Sequence, residues 1–184
     1  MNFAEYNVKD ANLEEVLLAL KSLNTVEAVA LGGSRSTGAS DENSDYDIYV
    51  YCAEIPTAET RENLLEKYCS IAEFGNHYWE SEDNTVMNNG IPVDIIYREV
   101  DRFGRYIDTV IKGGKAFNGY TTAFWHNIKN SKVLFDKTGT FTKFRDMAQI
   151  DFPENLRSAI IKNNRNLLNG KLPSYDRQIK KAQE

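Results

Sequence analysis

At 184 residues the chain is long enough for one well-cored domain with an appended segment. Its hydrophobic fraction of 41% is that of a globular protein, and no apolar run reaches the roughly 20 residues that span a bilayer. A net charge of -5, with Lys and Arg scattered rather than clustered, argues against the phosphate-neutralising surface that long nucleic acid requires.

The N-terminal Met1-Asn2-Phe3-Ala4-Glu5 carries no basic n-region and no apolar h-region follows it, so no secretory signal is expected and the cytoplasm is the expected location. A first helix is predicted from Asn12 to Leu23, where Leu13, Val16, Leu17, Leu20 and Leu23 recur at helical spacing and Asn12 with Glu15 offers a capping box. Val26 to Leu31 reads as a short strand closed by Gly32-Gly33. After the polar, turn-rich stretch Ser34 to Ser44, a strand is expected from Asp45 to Tyr51. Its alternation puts Asp45, Asp47, Tyr49 and Tyr51 on one face. Pro56-Thr57 then opens a helix expected to reach about Ser70, with Thr57 as cap.

Phe74 to Trp79 and Ile91 to Tyr97 are the next predicted strands, separated by the polar stretch Glu80 to Asn84 and by the turn Asn88-Asn89-Gly90. A helix follows with Val100, Phe103, Ile107, Val110 and Ile111 in register up to Gly113-Gly114, then a helix from about Thr121 to Asn130. Val133-Leu134-Phe135 reads as a short strand ending in Asp136-Lys137-Thr138-Gly139. From Pro153 a helix is expected to stop at Gly170, with another starting at Ser174. That last helix has no stop signal, which predicts a chain continuing past Glu184, with 140–184 as the start of a helical domain and 1–139 as the catalytic one. Cys52 and Cys69 lack metal-ligand spacing and read as free thiols.

The chemistry is carried by three short segments. Asp45 and Asp47 at i and i+2 of a strand lie about 7 Å apart at the backbone with their carboxylates to one side. Such a pair can bridge two magnesium ions, which in phosphoryl-transfer sites sit about 3.5 to 4 Å apart. Asp94, set among Val93, Ile95 and Ile96, completes the set if its strand lies beside that of Asp45; a charge among apolar neighbours is otherwise costly. Its duller alternative is a buried acid paired with Arg98. Gly32-Gly33-Ser34 lets the backbone approach a triphosphate, with main-chain N–H groups and the Ser34 hydroxyl as donors and Arg35 and Ser36 extending the set. The reaction this supports is in-line attack by an acceptor hydroxyl on the α-phosphate of a nucleoside triphosphate such as ATP, with pyrophosphate leaving.

Other polar residues read more simply. His77 and His126 lack a partner at ligand spacing and are expected to be structural; Glu80 is a conceivable acceptor-site base, with a solvated loop residue the plainer alternative. Tyr46, Tyr49, Tyr51, Tyr78, Trp79 and Tyr97 are expected in the core or in a pocket wall.

Leu31-Gly32-Gly33-Ser34, a spacer, and Ser44-Asp45-Tyr46-Asp47-Ile48 together resemble the signature of the DNA polymerase beta-like nucleotidyltransferase superfamily. Arg35 and the spacer 36–43 look like its minimal and antibiotic-modifying branches, including aminoglycoside and lincosamide nucleotidyltransferases, and Val133-Leu134-Phe135-Asp136 with Gly139 is similar to a segment after the core in those branches. The resemblance, over about Val26 to Gly139, implies an α/β (α+β) fold: a mixed β-sheet with helices packed on one side, followed by C-terminal helices. It implies Asp45, Asp47 and Asp94 as catalytic metal ligands for two Mg2+ ions, and Gly33 and Ser34 at the triphosphate. A small-molecule acceptor, an antibiotic being one candidate, is the leading expectation. A protein side chain, a tRNA end, or a non-catalytic nucleotide-binding module are the alternatives, and in antibiotic-modifying members a carboxylate from a helical C-terminal region can act as general base.

Overall fold

Six strands form one mixed sheet in a computed structural model that describes residues 10–41, 44–117 and 121–183. The expectations for Met1 to Glu5, for the end of the 36–43 spacer and for Glu184 lie outside the described residues. Helix α1 (Ala11–Ser22) starts earlier than expected because Asp10, not Asn12, is its cap: the Asp10 carboxylate accepts from the backbone N–H of Asn12 and Leu13 at 3.0 and 3.3 Å. Then come β1 (Val26–Leu31), the short α2 (Gly33–Thr37), β2 (Tyr46–Cys52) and α3 (Ala58–Leu65). Strands β3 (Cys69–Asn76), β4 (Ser81–Met87) and β5 (Pro92–Glu99) follow. Helix α4 (Val100–Ile107) widens into a π-helical stretch at Asp108–Lys112 before α5 (Ala123–Asn130), β6 (Lys132–Asp136), α6 (Thr140–Ala148) and α7 (Glu154–Gln183).

The spatial order is β3-β4-β5-β2-β1-β6. Only β2 and β5 run parallel; the other neighbours are antiparallel. Strand alternation divides the core in two. Val29, Leu31, Ile48, Val50, Val93, Ile95 and Tyr97 face α1 and Leu65 of α3, while Ala28, Ala30, Tyr49, Tyr51 and Ile96 face Phe103, Ile107, Phe124, Ile128, Phe141 and Phe144. The mixed α+β sheet is as expected, but helices cover both faces rather than one, because the central strands are apolar on both sides and each side needs a cover. Tyr51 anchors the second face with its ring edge-on to Phe141 at 5.3 Å between centroids. Phe144 and Ala148 of α6 and Leu156 of α7 complete that face.

Four other expectations change. Helix α3 stops at Leu65, a single 3-10 turn covers Glu66–Tyr68, and 69–76 form edge strand β3, because pairing to β4 outweighs the helical propensity of that stretch. Strand β4 occupies the segment read as a polar spacer. Three of its polar side chains are paired: Asp83 with Arg61, Asn84 with Asp94, and the Thr85 hydroxyl donates to the Val93 carbonyl. Tyr78 and Trp79 fall beyond β3 and are exposed. Finally, α7 runs through Gly170 and Pro173 without a break, although helical glycine costs about 1 kcal/mol and helical proline about 3 kcal/mol. Cys52 and Cys69 are free thiols as expected. Among the described residues no helix is long and apolar enough to cross a membrane.

Candidate active site

Topology brings the motifs together at one end of the sheet. Strand β1 runs antiparallel to β2 with Leu31 opposite Ile48, so the chain leaving β1 passes Asp47, where the Gly32 N–H donates to the Asp47 carbonyl at 2.8 Å. Strand β5 runs parallel to β2 with Asp94 opposite Asp47. Adjacent strands lie about 4.8 Å apart, so the two carboxylates share one face as near neighbours. The expectation that the Asp94 strand lies beside that of the Asp pair is therefore met, and the pairing of Asp94 with Arg98 is not seen: Asp94 accepts from Asn84 at 2.9 Å, whereas Arg98 pairs elsewhere.

Asp45 lies one residue before β2 and is exposed. Arg35 fixes its backbone: its guanidinium donates from Nε to the Ser44 carbonyl at 2.8 Å and to the Asp45 carbonyl at 3.0 Å, and from Nη2 to the Ser44 carbonyl. It also stacks on the Tyr46 ring at 4.1 Å. Arg35 thus holds the loop that delivers Asp45, a different place from the phosphate-facing one expected. Asp47 is half-buried, and burial, followed by the charges of Asp45 and Asp94, raises its carboxyl above the ordinary value. Among the described residues no group of three or more His, Cys, Asp or Glu side chains is placed as a ready-made metal site. The fit to a cation rests on like charges crowded around one partly desolvated carboxylate, whose repulsion a divalent ion relieves.

Gly33 is packed against this set. Its φ is +58°, and a Cβ there would sit 1.7 Å from the Asp47 carboxylate oxygen. Only glycine meets both demands. Gly33→Ala is accordingly expected to slow pyrophosphate release about 100-fold, the order of loss an ångström of misplacement brings, with the circular dichroism spectrum retained. An unchanged rate would remove the glycine from the site.

Beyond the acids lies an open cleft of about 1290 Å³, lined by Asp47, Asp94, Tyr49, Glu82, Trp79 and Phe124 among others. A smaller polar cavity of about 210 Å³ lies between α2 and α5, lined by Gly33, Ser34, Ser36, His126, Asn127 and Ser131. Ser34 therefore borders the smaller cavity, whereas Asp47 lines the larger cleft. Asn127 borders both cavities and donates to the Tyr49 hydroxyl at 2.8 Å, and burial pushes that phenol up to about 12. These α5 residues carry no signal in the sequence that ties them to the Gly-Ser turn; His126, expected to be structural, lines the smaller cavity, and His77 the larger.

Glu80, the residue expected as a possible base, is committed elsewhere. Both of its carboxylate oxygens accept from Arg98, at 2.7 Å each, and Arg98 is itself buried beneath the rings of Tyr49 and Phe103 at 4.4 and 4.6 Å. This bidentate pair is a wall of the cleft.

Comparison with known proteins identifies a family. A family model described as nucleotidyltransferase domain matches residues 13–117, a span that contains Gly33, Ser34, Asp45, Asp47 and Asp94. No curated protein matches the chain. Among solved structures, a toxin–antitoxin with AMP-PNP aligns at TM-score 0.43 and 16% identity, over 92% of this chain and 99% of that one. A mutant of the toxin–antitoxin MntA–HpeT aligns at TM-score 0.42 and 14% identity over 92% and 99%. Cid1 in complex with its short product ApU aligns at 0.41 and 19% over 69% of this chain and 38% of that one.

Proposed function

We propose that this chain, which belongs to the nucleotidyltransferase domain family, transfers a nucleoside monophosphate from a nucleoside triphosphate to a hydroxyl of a small-molecule acceptor, releasing pyrophosphate. The observation that carries this is the in-register pair Asp47 and Asp94, with Gly33 closing against Asp47. Asp45, Asp47 and Asp94 would hold two magnesium ions, which when bound supply charge neutralisation on the phosphates. The residues do the rest. Asn84 orients Asp94 through its amide, Arg35 holds the loop of Asp45, and Gly33 keeps the space beside Asp47 free for backbone–phosphate approach. Gly33 and Ser34 would donate to the outgoing phosphates, toward the smaller cavity.

A small acceptor is favoured by the size and walls of the larger cleft. At about 1290 Å³ it exceeds the roughly 300 to 1,000 Å³ of a site for one drug-sized ligand, leaving room for a nucleotide and a second molecule, and its walls carry Tyr49, Phe103, Tyr106 and Phe124. The test is incubation of the chain with magnesium, each labelled triphosphate in turn, and a cell lysate. The expected result is pyrophosphate release with label in the low-molecular-weight fraction. Label found only in protein or RNA would transfer the proposal to a macromolecular acceptor, and nucleotide binding without pyrophosphate would reduce the chain to a binding module.

A further inference from the structure

On the face of the sheet that carries the acids, side chains form rows across the strands. Asn84, Asp94 and Asp47 make one row; Glu82, Ile96 and Tyr49 make the next, one step along the strands. In-line displacement imposes a direction on this grid. With the triphosphate placed as proposed, the pyrophosphate would leave toward Gly33 and Ser34, on the β1 side of Asp47, and the attacking hydroxyl would arrive from the opposite side, past Asp94 and over β4.

Beyond Asp94 three carboxylates line the cleft: Glu99 at the far end of β5, and Glu80 and Glu82 on the β4 side. Glu80 is held on both oxygens by the buried Arg98. Glu82 pairs with no cation among the described residues. It is partly buried on β4 opposite Ile96, with Asn84 two residues along the same face. We propose that Glu82 is the general base of the transfer, taking the proton of the acceptor hydroxyl as that oxygen attacks the α-phosphorus.

The step balances without a further reactant. The acceptor oxygen forms its bond to phosphorus, the bond from the α-phosphorus to the bridging oxygen breaks, pyrophosphate carries away that electron pair, and the hydroxyl proton passes to the Glu82 carboxylate and then to solvent. Burial first, and then the Asp94 charge, raise the Glu82 carboxyl above its ordinary value against an Asn84 hydrogen bond that lowers it, and the net direction improves a base working near neutral pH.

This inference rests on the transferase proposal, and the experiment separates the two. Nucleotide affinity is measured by calorimetry with magnesium and ATP, GTP, CTP or UTP, and pyrophosphate release is followed with water and with glycerol as acceptors, in the wild type, Glu82→Gln and Glu82→Ala. The expected result is unchanged nucleotide affinity and KM in both variants, a rate about 100-fold lower, and partial recovery of Glu82→Ala by added formate, a small carboxylate able to enter the vacated space. Wild-type turnover that survives in Glu82→Gln overturns the assignment of the base and leaves the transferase proposal standing. Loss of rate in both variants without any response to formate also overturns it, giving Glu82 a structural role. A wild type that binds no nucleotide and releases no pyrophosphate overturns both proposals together.

Discussion

Asp47→Asn is expected to lower magnesium-dependent pyrophosphate release at least about 1000-fold, roughly 4 kcal/mol of transition-state stabilisation, while raising the melting temperature of the metal-free protein. The two effects share one cause. Asp47 lies between Asp45 and Asp94 in a partly buried position, so in the absence of a cation its charge is repelled on both sides. Asparagine keeps the shape, removes that repulsion and removes the charge proposed to hold the metal. The wild type should gain stability on adding magnesium, by linkage to the folded state, and the variant should gain little.

The pH dependence follows with a definite sign. Because the folded state raises the Asp47 carboxyl, its contribution to stability is complete below the ordinary value near 3.8 and is lost as pH rises through the folded value. Metal-free wild type should therefore lose stability relative to Asp47→Asn as pH climbs from 4 toward neutrality, a comparison that thermal melts in a chelator would make. Asp47→Asn that keeps the wild-type rate, or that melts lower than wild type without metal, would place the phosphoryl chemistry elsewhere.

A second large effect is expected away from the chemistry. Asp83→Ala should destabilise the fold by about 3 to 5 kcal/mol, or roughly 6 to 20 °C in melting temperature for a chain of this size. Asp83 is fully buried on β4 and takes two hydrogen bonds from Arg61 of α3, each 2.9 Å, and one from the Gly75 N–H at 2.9 Å. Arg61 is 2% exposed, stacks on Tyr97 and donates to the Pro56 carbonyl. Removing the acid strands a buried guanidinium and a β3 amide in one step. Replacing both partners at once, as Arg61→Met with Asp83→Leu, should cost less than Asp83→Ala alone, because no uncompensated charge is left behind. Urea melts of the single and double variants test this, and equal losses would show that the pair acts through packing rather than charge.

The same ion pair shows why part of the fold was hidden from the sequence. Glu80 to Asn84 read as a polar spacer because five polar residues in a row carry no alternation of hydrophobicity. From Ser81 onward the segment forms a strand because each inward member meets a specific partner from a distant segment. The end of α3 was hidden for a related reason. Glu66 to Ser70 suits a helix locally, and only the ladder to β4 makes Cys69–Asn76 a strand. Apolar helices such as α1, whose buried Leu13, Val16, Leu17 and Leu20 repeat at helical spacing, needed no such partner to be legible.

At the site, the division is just as physical. The Asp47-bearing strand β2 and the sharp glycine turn after β1 are determined by the sequence alone, because strand alternation and glycine's backbone freedom are properties of a few adjacent residues. Tertiary structure decided that Asp94 stands opposite Asp47, that Arg35 serves the Asp45 loop, that Arg98 occupies Glu80, and that Glu82 is left open to the cleft. Each of those depends on which strand pairs with which and in what register, and register is set by hydrogen bonds and packing between segments far apart in the chain.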